Sequence, residues 1–246
     1  MKRAFVSLGA LLVLSTPAIA QTYTTQVNLS WNDCVLGPFA IGRANDCTTN
    51  TGTMGTLFVS FSPPGTLPLY VAAQTSILLQ TSGATLSPWW HFESGGCRGA
   101  GGLVSTADFT GGPFACADFW NGQQVGGYFY ETPAPSLLPN SARLRSVFAL
   151  PTALAGPIDN SKIWYAHKVT IFNSKTVGTG ACSGCLDGAC IVVNQINLSQ
   201  PAPAPDVIIT TGPQQIVTYR GATGTVCLEA TPTRRMTWGS IKSLYH

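Results

Sequence analysis

Few charged side chains are present in this chain. Asp, Glu, Lys and Arg make up 9% of its 246 residues, against about 25% in ordinary domains, while the apolar fraction of 45% is normal. The chain is therefore not of the disordered class, and its surface must rest on uncharged polar groups. The arginines form only two tight pairs, Arg143 with Arg145 and Arg234 with Arg235, which is too little clustered charge for nucleic-acid binding.

Catalytic motifs are absent as well. No G-x-S-x-G occurs, and His91, His167 and His246 form no H-x-H or H-E-x-x-H pair. Cys182 and Cys185 have the C-x-x-C spacing of redox sites, but glycines and a β-branched run follow them, so no helix lowers the thiol pKa. We therefore expect no catalytic residue and no metal site, and we interpret His167 as a partly buried histidine with its hydrogen bonds satisfied.

The N-terminal segment has the pattern of an export signal. Two basic residues precede an apolar run from Ala4 to Leu14, and small residues at 18–20 match a signal-peptidase site. We predict a cleaved signal peptide at residues 1–20, a secreted mature chain that begins at Gln21, and no membrane span in that mature chain.

Eight cysteines follow this segment, and an even number in an exported chain predicts up to four disulfides. Four precede the proline-rich stretch at residues 132–139 and four follow it, which favours pairing within each half. The later four allow three connectivities, and a zinc knuckle made by them is the weaker alternative. The favoured pairs are Cys34–Cys47, Cys97–Cys116, Cys185–Cys190 and Cys182–Cys227.

Short alternating segments between glycines and prolines predict β-strands. The clearest are residues 23–30, 56–62, 70–81, 143–150 and 162–172. At the start of 143–150, Leu144 alternates with Arg143 and Arg145. In the last segment strict alternation places five residues on one face: Ile163, Tyr165, His167, Val169 and Ile171.

These segments predict an all-β fold without long helices. We expect an antiparallel β-sandwich of the jelly-roll or immunoglobulin-like two-sheet type, stabilised by disulfides, with a short helix at residues 236–245. Residues 21–246 are predicted to form a single domain. The alternative is two small β lobes, 21–135 and 140–246.

The densest aromatic cluster lies at residues 86–93. In an extended segment Trp89 and His91 point to one face and Trp90 and Phe92 to the other, so one tryptophan can be exposed. Trp89, Trp90 and Trp120 are accordingly the candidate ligand-binding residues, as a platform on which sugar rings stack. The favoured interpretation is that these rings fill the core.

Carboxylates and amides near these segments suggest two further sites. A glycosidase needs two carboxylates across a cleft, and the candidates are Glu93, Asp108, Asp118 and Glu131. Calcium is the one cofactor left open, although its candidate ligands lack the D-x-D-x-D-G spacing. Those ligands are Asn32, Asp33, Asn45, Asp46 and Asn50.

Composition and motifs together favour a secreted, non-catalytic binding or structural protein. Its partner would be a polysaccharide or another surface protein. The alternatives are a carbohydrate-binding module that uses exposed tryptophans and a secreted enzyme of the glycoside hydrolase type.

Overall fold

A computed structural model describes residues 22–34, 40–110, 116–133 and 138–222. These residues form thirteen strands and two short 3-10 helices, at Pro88–Trp90 and Thr152–Leu154. The strands are β1 (Gln26–Trp31), β2 (Gly42–Arg43), β3 (Thr53–Ser62), β4 (Leu67–Tyr70), β5 (Ala72–Thr81), β6 (Leu103–Thr106), β7 (Val125–Glu131), β8 (Ser141–Ala149), β9 (Gly156–Ile158), β10 (Trp164–Phe172), β11 (Ala189–Ser199), β12 (Val207–Ile209) and β13 (Ile216–Tyr219).

Two sheets form the sandwich. Sheet I has the strand order β1-β3-β10-β6, and sheet II has the order β2-β13-β11-β5-β8-β7 with β12 beside β11. Neighbouring strands run antiparallel, except that β13 and β2 are parallel. A two-stranded ribbon of β4 and β9 accompanies them. The predicted all-β, disulfide-stabilised fold is confirmed.

One hydrophobic core lies between the two sheets. Alternate residues of sheet I, such as Leu29 and Val59, pack against alternate residues of sheet II, such as Ile77, Leu144 and Ile191. This core combines residues from both sides of the proline-rich stretch. The core therefore crosses the boundary at residues 135–140 of the two-lobe alternative. The single domain stays a prediction.

A β-bulge interrupts β10. Its pairing with β3 shifts between Tyr165 and His167, so one extra residue, Ala166, is inserted there. Trp164 and Val169 consequently both belong to the core, whereas Tyr165 packs with another group on the outer side of sheet I. The prediction that Tyr165 and His167 share one face was wrong, because the bulge changes the alternation.

The disulfides connect distant parts of the chain. Cys34 pairs with Cys116, Cys47 with Cys185, and Cys97 with Cys182, across 82, 138 and 85 residues. Cys190 is also disulfide-bonded, and Cys227 lies outside the described residues.

The four predicted pairings and the zinc knuckle were therefore wrong. The predictions Cys34–Cys47, Cys97–Cys116, Cys185–Cys190 and Cys182–Cys227 assumed that each half of the chain pairs internally. The sandwich instead brings loops from distant strands together at its ends. Three disulfides indicate an oxidising compartment outside the cytosol.

Peptide mapping tests this connectivity. Digestion of the purified protein without reduction is expected to release cross-linked peptides that join Cys34 to Cys116, Cys47 to Cys185 and Cys97 to Cys182. The species that joins Cys34 to Cys116 should separate into two linear peptides after reduction. Because Cys182 and Cys185 share one peptide, the other two disulfides should appear together in one species, which releases the peptides of Cys47, Cys97 and Cys182–Cys185. A peptide that links Cys34 to Cys47 would contradict the topology.

Both termini lie outside the described residues. The predicted signal peptide at residues 1–20 and the predicted helix at 236–245 therefore stay predictions. Among the residues that the structure describes, no helix is long and apolar enough to cross a membrane.

Candidate functional site

Trp89 and Trp90 lie in the core. Both are 0% exposed, because Pro88 starts a 3-10 helix that turns this segment inward instead of leaving it extended. Trp89 stacks on Tyr219 with ring centres 6.0 Å apart, and Trp90 meets the same ring edge-on at 5.3 Å. A sugar-stacking platform therefore cannot be formed by these two rings, and the core interpretation accounts for them.

Arg98 is fully buried beside these tryptophans, and no pattern in the sequence predicts this. Its guanidinium lies 3.6 Å from the centre of the Trp89 ring and 4.9 Å from that of Phe92. It donates hydrogen bonds to the carbonyls of Ser174 and Trp89, both at 3.0 Å, and to that of Phe172. Burial lowers the pKa of Arg98 to about 9, so the group remains cationic at neutral pH.

Trp120 belongs to a different aromatic group. Its ring stacks on Tyr70 at 4.7 Å and on Trp164 at 5.2 Å, and its indole N–H donates to the Tyr165 carbonyl at 3.3 Å. The structure thus does not bring the three candidate tryptophans together. Trp120 is partly buried, and intramolecular stacking occupies its ring.

The structure places the four candidate carboxylates in different surroundings. Glu93 and Glu131 line one surface depression of about 410 Å³. Asp108 instead accepts a hydrogen bond from the backbone N–H of Thr110 at 2.8 Å. Asp118 accepts two from the turn that follows it, at 3.0 and 2.7 Å. Only the pair of glutamates therefore resembles the arrangement that a glycosidase needs.

Glu93 is poorly suited to act as a general acid. Burial acts to raise the pKa of Glu93, but hydrogen bonds, led by that of His91, outweigh burial and hold it below its usual range. The His91 Nδ1 to Glu93 Oε1 distance is 2.6 Å. A glycosidase acid requires a raised pKa, so that it keeps its proton near neutral pH.

The candidate calcium ligands hold loops together. The Asn32 Oδ1 atom accepts a hydrogen bond from the Thr56 N–H at 2.7 Å. Asn50 Oδ1 accepts two, from Thr176 at 2.7 Å and Val177 at 2.9 Å. In the described part of the chain no three His, Cys, Asp or Glu side chains are grouped to hold a metal ion. The expectation of no cofactor, with calcium left open, stays a prediction.

His167 connects the two sheets. Its Nε2 atom lies 2.7 Å from the Thr75 hydroxyl and its Nδ1 atom 3.0 Å from the Ser105 hydroxyl, which in turn lies 3.1 Å from that of Ser146. The prediction that its hydrogen bonds are satisfied is confirmed, although the ring is fully buried. Burial lowers the pKa of His167 to about 3, so the ring is too weak a base to activate Ser105 at neutral pH.

The outer face of sheet II carries the most promising surface. Along β8, Leu144 points into the core, whereas Arg143, Arg145 and Val147 point outward. Paired residues of neighbouring strands place Phe129, Arg145, Ser76 and Gln195 in one line across four strands. We call these four residues the Phe129 row.

A second line of residues runs beside this row. It consists of Gly127, Val147, Gln74 and Asn197. Gly127 lies next to Phe129, and nothing comes within 4 Å of the position where a Cβ atom would be. We call the two lines together the binding face.

The binding face contains two depressions. The larger, of about 710 Å³, is lined on its floor by Gln74, Ser76 and Gln195 and by both arginines of β8. The smaller, of about 330 Å³, lies around Phe129 and Val147. The side chain of Phe129 is 65% exposed. The binding face thus offers amides, a hydroxyl, a guanidinium group and an open aromatic ring, and Arg143 adds a second guanidinium group in the larger depression.

Comparison with known proteins finds no match: no family model, no curated protein and no solved structure corresponds to the chain.

Proposed function

We propose that this protein is an exported, non-catalytic binding protein that holds a polysaccharide on the binding face. The Phe129 row carries the proposal. In it an exposed aromatic ring, a guanidinium, a hydroxyl and an amide follow one another across four strands of a rigid sheet. An extended polymer can lie along such a line and meet each group in turn.

The chemistry of these groups suits sugars. Hydroxyl groups of a sugar both donate and accept hydrogen bonds. The side chains of Gln74, Gln195 and Ser76 can likewise act as donors and as acceptors. The ring of Phe129 offers an apolar surface for the C–H face of a pyranose. Because these side chains stand on strands and not on loops, little backbone conformational entropy is lost when they bind.

Two observations support a binding role without catalysis. Hydrogen bonding lowers the pKa of Glu93, the carboxylate that shares a depression with Glu131, so it is ionised at neutral pH. The hydroxyl of Ser105 is bonded to a histidine that is too weak a base. Export is supported by the three disulfides and by the signal-like sequence at residues 1–20.

Affinity electrophoresis tests this function. The protein should be retarded in native gels that contain a soluble polysaccharide, from a panel of neutral and acidic polymers. Phe129→Ala should lower the association constant by about tenfold, since stacking and burial of one aromatic ring contribute on the order of 1–2 kcal/mol.

Leu186→Ala is the matched control. Leu186 is 60% exposed and lies in the cysteine-rich turn, away from the binding face. This variant should migrate like the wild type in each gel. Absence of retardation by every polymer in the panel, or equal retardation of Phe129→Ala and wild type, would overturn the proposal.

A further inference from the structure

We infer that the polysaccharide is acidic and that Arg143 and Arg145 together bind its carboxylate groups. This inference rests on the proposed function and names the class of ligand. The two arginines are two residues apart on β8 and point outward from the same face. A guanidinium offers a planar fork of N–H donors that matches a carboxylate.

Charge in the larger depression favours an anion. Arg143 and Arg145 line it, and every other side chain of its lining is uncharged. Glutamine, asparagine, serine, threonine and valine make up the remainder. With a neutral sugar, the one carboxylate of Glu131 would face two guanidinium groups, whereas a carboxylate on the ligand supplies a second negative charge.

Few of the guanidinium donors are engaged. Among the described residues, the polar contacts of both arginines are with one carboxylate, that of Glu131. The distances are 3.5 Å from Glu131 Oε1 to Arg145 Nε and 3.9 Å from Oε2 to Arg143 Nη1. Both exceed the usual length of a charge-assisted hydrogen bond. One carboxylate at these distances leaves a net positive charge and available donors.

Glu131 lies at the rim and not in the larger depression. It lines the neighbouring depression with Glu93 and Phe129. In the absence of ligand it is the counter-charge of the arginine pair, and it repels a second carboxylate that approaches. Its removal should therefore strengthen the binding of an acidic polymer, in contrast to the removal of either arginine.

The density of charge distinguishes a uronate polymer from a heavily sulfated one. A polyuronate carries one carboxylate on each sugar ring and many hydroxyl groups, which fits two arginines among several amides. A highly sulfated polymer carries more charge than the binding face can neutralise. Recognition of carboxylates should therefore survive moderate salt, since the depression partly shields the ion pairs.

Titration with three polymers distinguishes recognition of carboxylates from general attraction of negative charge. Polygalacturonate, its methyl ester and dextran sulfate are titrated into the full chain, with isothermal calorimetry at 0.15 M NaCl. We expect polygalacturonate to bind at least about tenfold more tightly than the ester, because charge-assisted hydrogen bonds to the two arginines are lost on esterification. Dextran sulfate should bind more weakly than polygalacturonate.

Four variants complete the test. Arg143→Gln and Arg145→Gln should each lower the association constant for polygalacturonate by about tenfold, while Glu131→Gln should raise it by a few-fold. Arg220→Gln is the control, since Arg220 is exposed and lies near the opposite edge of sheet II, where it donates a hydrogen bond to the Asn45 carbonyl. It should bind like the wild type.

The outcomes separate the two proposals. Equal binding of polygalacturonate and its ester would refute the inference and keep the proposed function. Dextran sulfate binding as tightly as polygalacturonate would show simple charge attraction and refute the inference, as would a loss of affinity in Glu131→Gln. Binding of no polysaccharide at all, in these titrations and in the gels, would refute both proposals.

Discussion

Replacement of Arg98 by methionine should lower the free energy of unfolding by about 3–5 kcal/mol, because three carbonyl groups lose a charged hydrogen-bond donor. Methionine fills much of the volume but donates no hydrogen bond. The carbonyls of Ser174, Trp89 and Phe172 would lose their donor. A carbonyl that is left buried and unsatisfied, as that of Trp89 would be, costs about 1–3 kcal/mol. Loss of the contact with the Trp89 ring adds to this, and release of a buried charge offsets part of it.

Urea denaturation with the disulfides intact measures the effect. Arg145→Met is the matched control, because the side chain of Arg145 is 49% exposed and makes only a long contact to Glu131. It should change the free energy of unfolding by less than about 1 kcal/mol. Arg98→Lys keeps the charge but not the planar fork, so it should also be clearly destabilised. Equal stability of Arg98→Met and wild type would show that the three carbonyls find other partners.

Local pattern was sufficient to locate five of the thirteen strands. The segments predicted at 23–30, 56–62, 70–81, 143–150 and 162–172 overlap β1, β3, β5, β8 and β10. Side-chain alternation is a property of a single strand, so one strand's sequence is enough to reveal it. The same alternation placed Arg143 and Arg145 on one face. It could not show that Phe129 and Gln195 complete a row with Arg145, because that depends on which strands are neighbours.

The disulfides also depend on which strands are neighbours, which the sequence pattern of one strand does not reveal. Cys47 and Cys185 are separated by 138 residues, and their approach follows from the positions of β2, β11 and β13 in sheet II. Distance along the chain carries no information about such contacts in a sandwich, where loops from many strands meet at each end. A prediction that kept every pair within one half of the chain therefore failed for Cys47, Cys97, Cys182 and Cys185.

The burial of Trp89 and Trp90 depends on one feature that is local in sequence and on contacts with distant segments. Pro88 begins the short helix that turns Trp89 and Trp90 inward, and proline at the first helical position is a known signal. Arg98 and Tyr219, which complete their surroundings, come from other segments. Buried arginines are rare in proteins. The glycine-rich sequence around Arg98 gives no indication that this side chain is buried.

Acid should destabilise this protein through His167. The unfolded ring has its ordinary pKa near 6.5, whereas burial lowers the pKa of His167 to about 3 in the folded state. Below pH 6.5 the unfolded chain therefore binds a proton that the folded chain does not. The contribution of His167 to stability is fully present above pH 6.5 and is lost as the pH falls towards 3. Between pH 7 and pH 4 the loss is about 3 kcal/mol.

Urea denaturation at a series of pH values checks this linkage by comparison of two variants with the wild type. His167→Gln removes the titrating group, so its unfolding free energy should fall less between pH 7 and pH 4, by about 3 kcal/mol relative to wild type. Thr75→Val removes a partner that lies 2.7 Å from Nε2 but keeps the ring. It should be less stable at every pH and retain the steep acid dependence. Parallel curves for wild type and His167→Gln would mean that carboxylates alone cause the acid sensitivity, and that a protonated His167 is tolerated between the sheets.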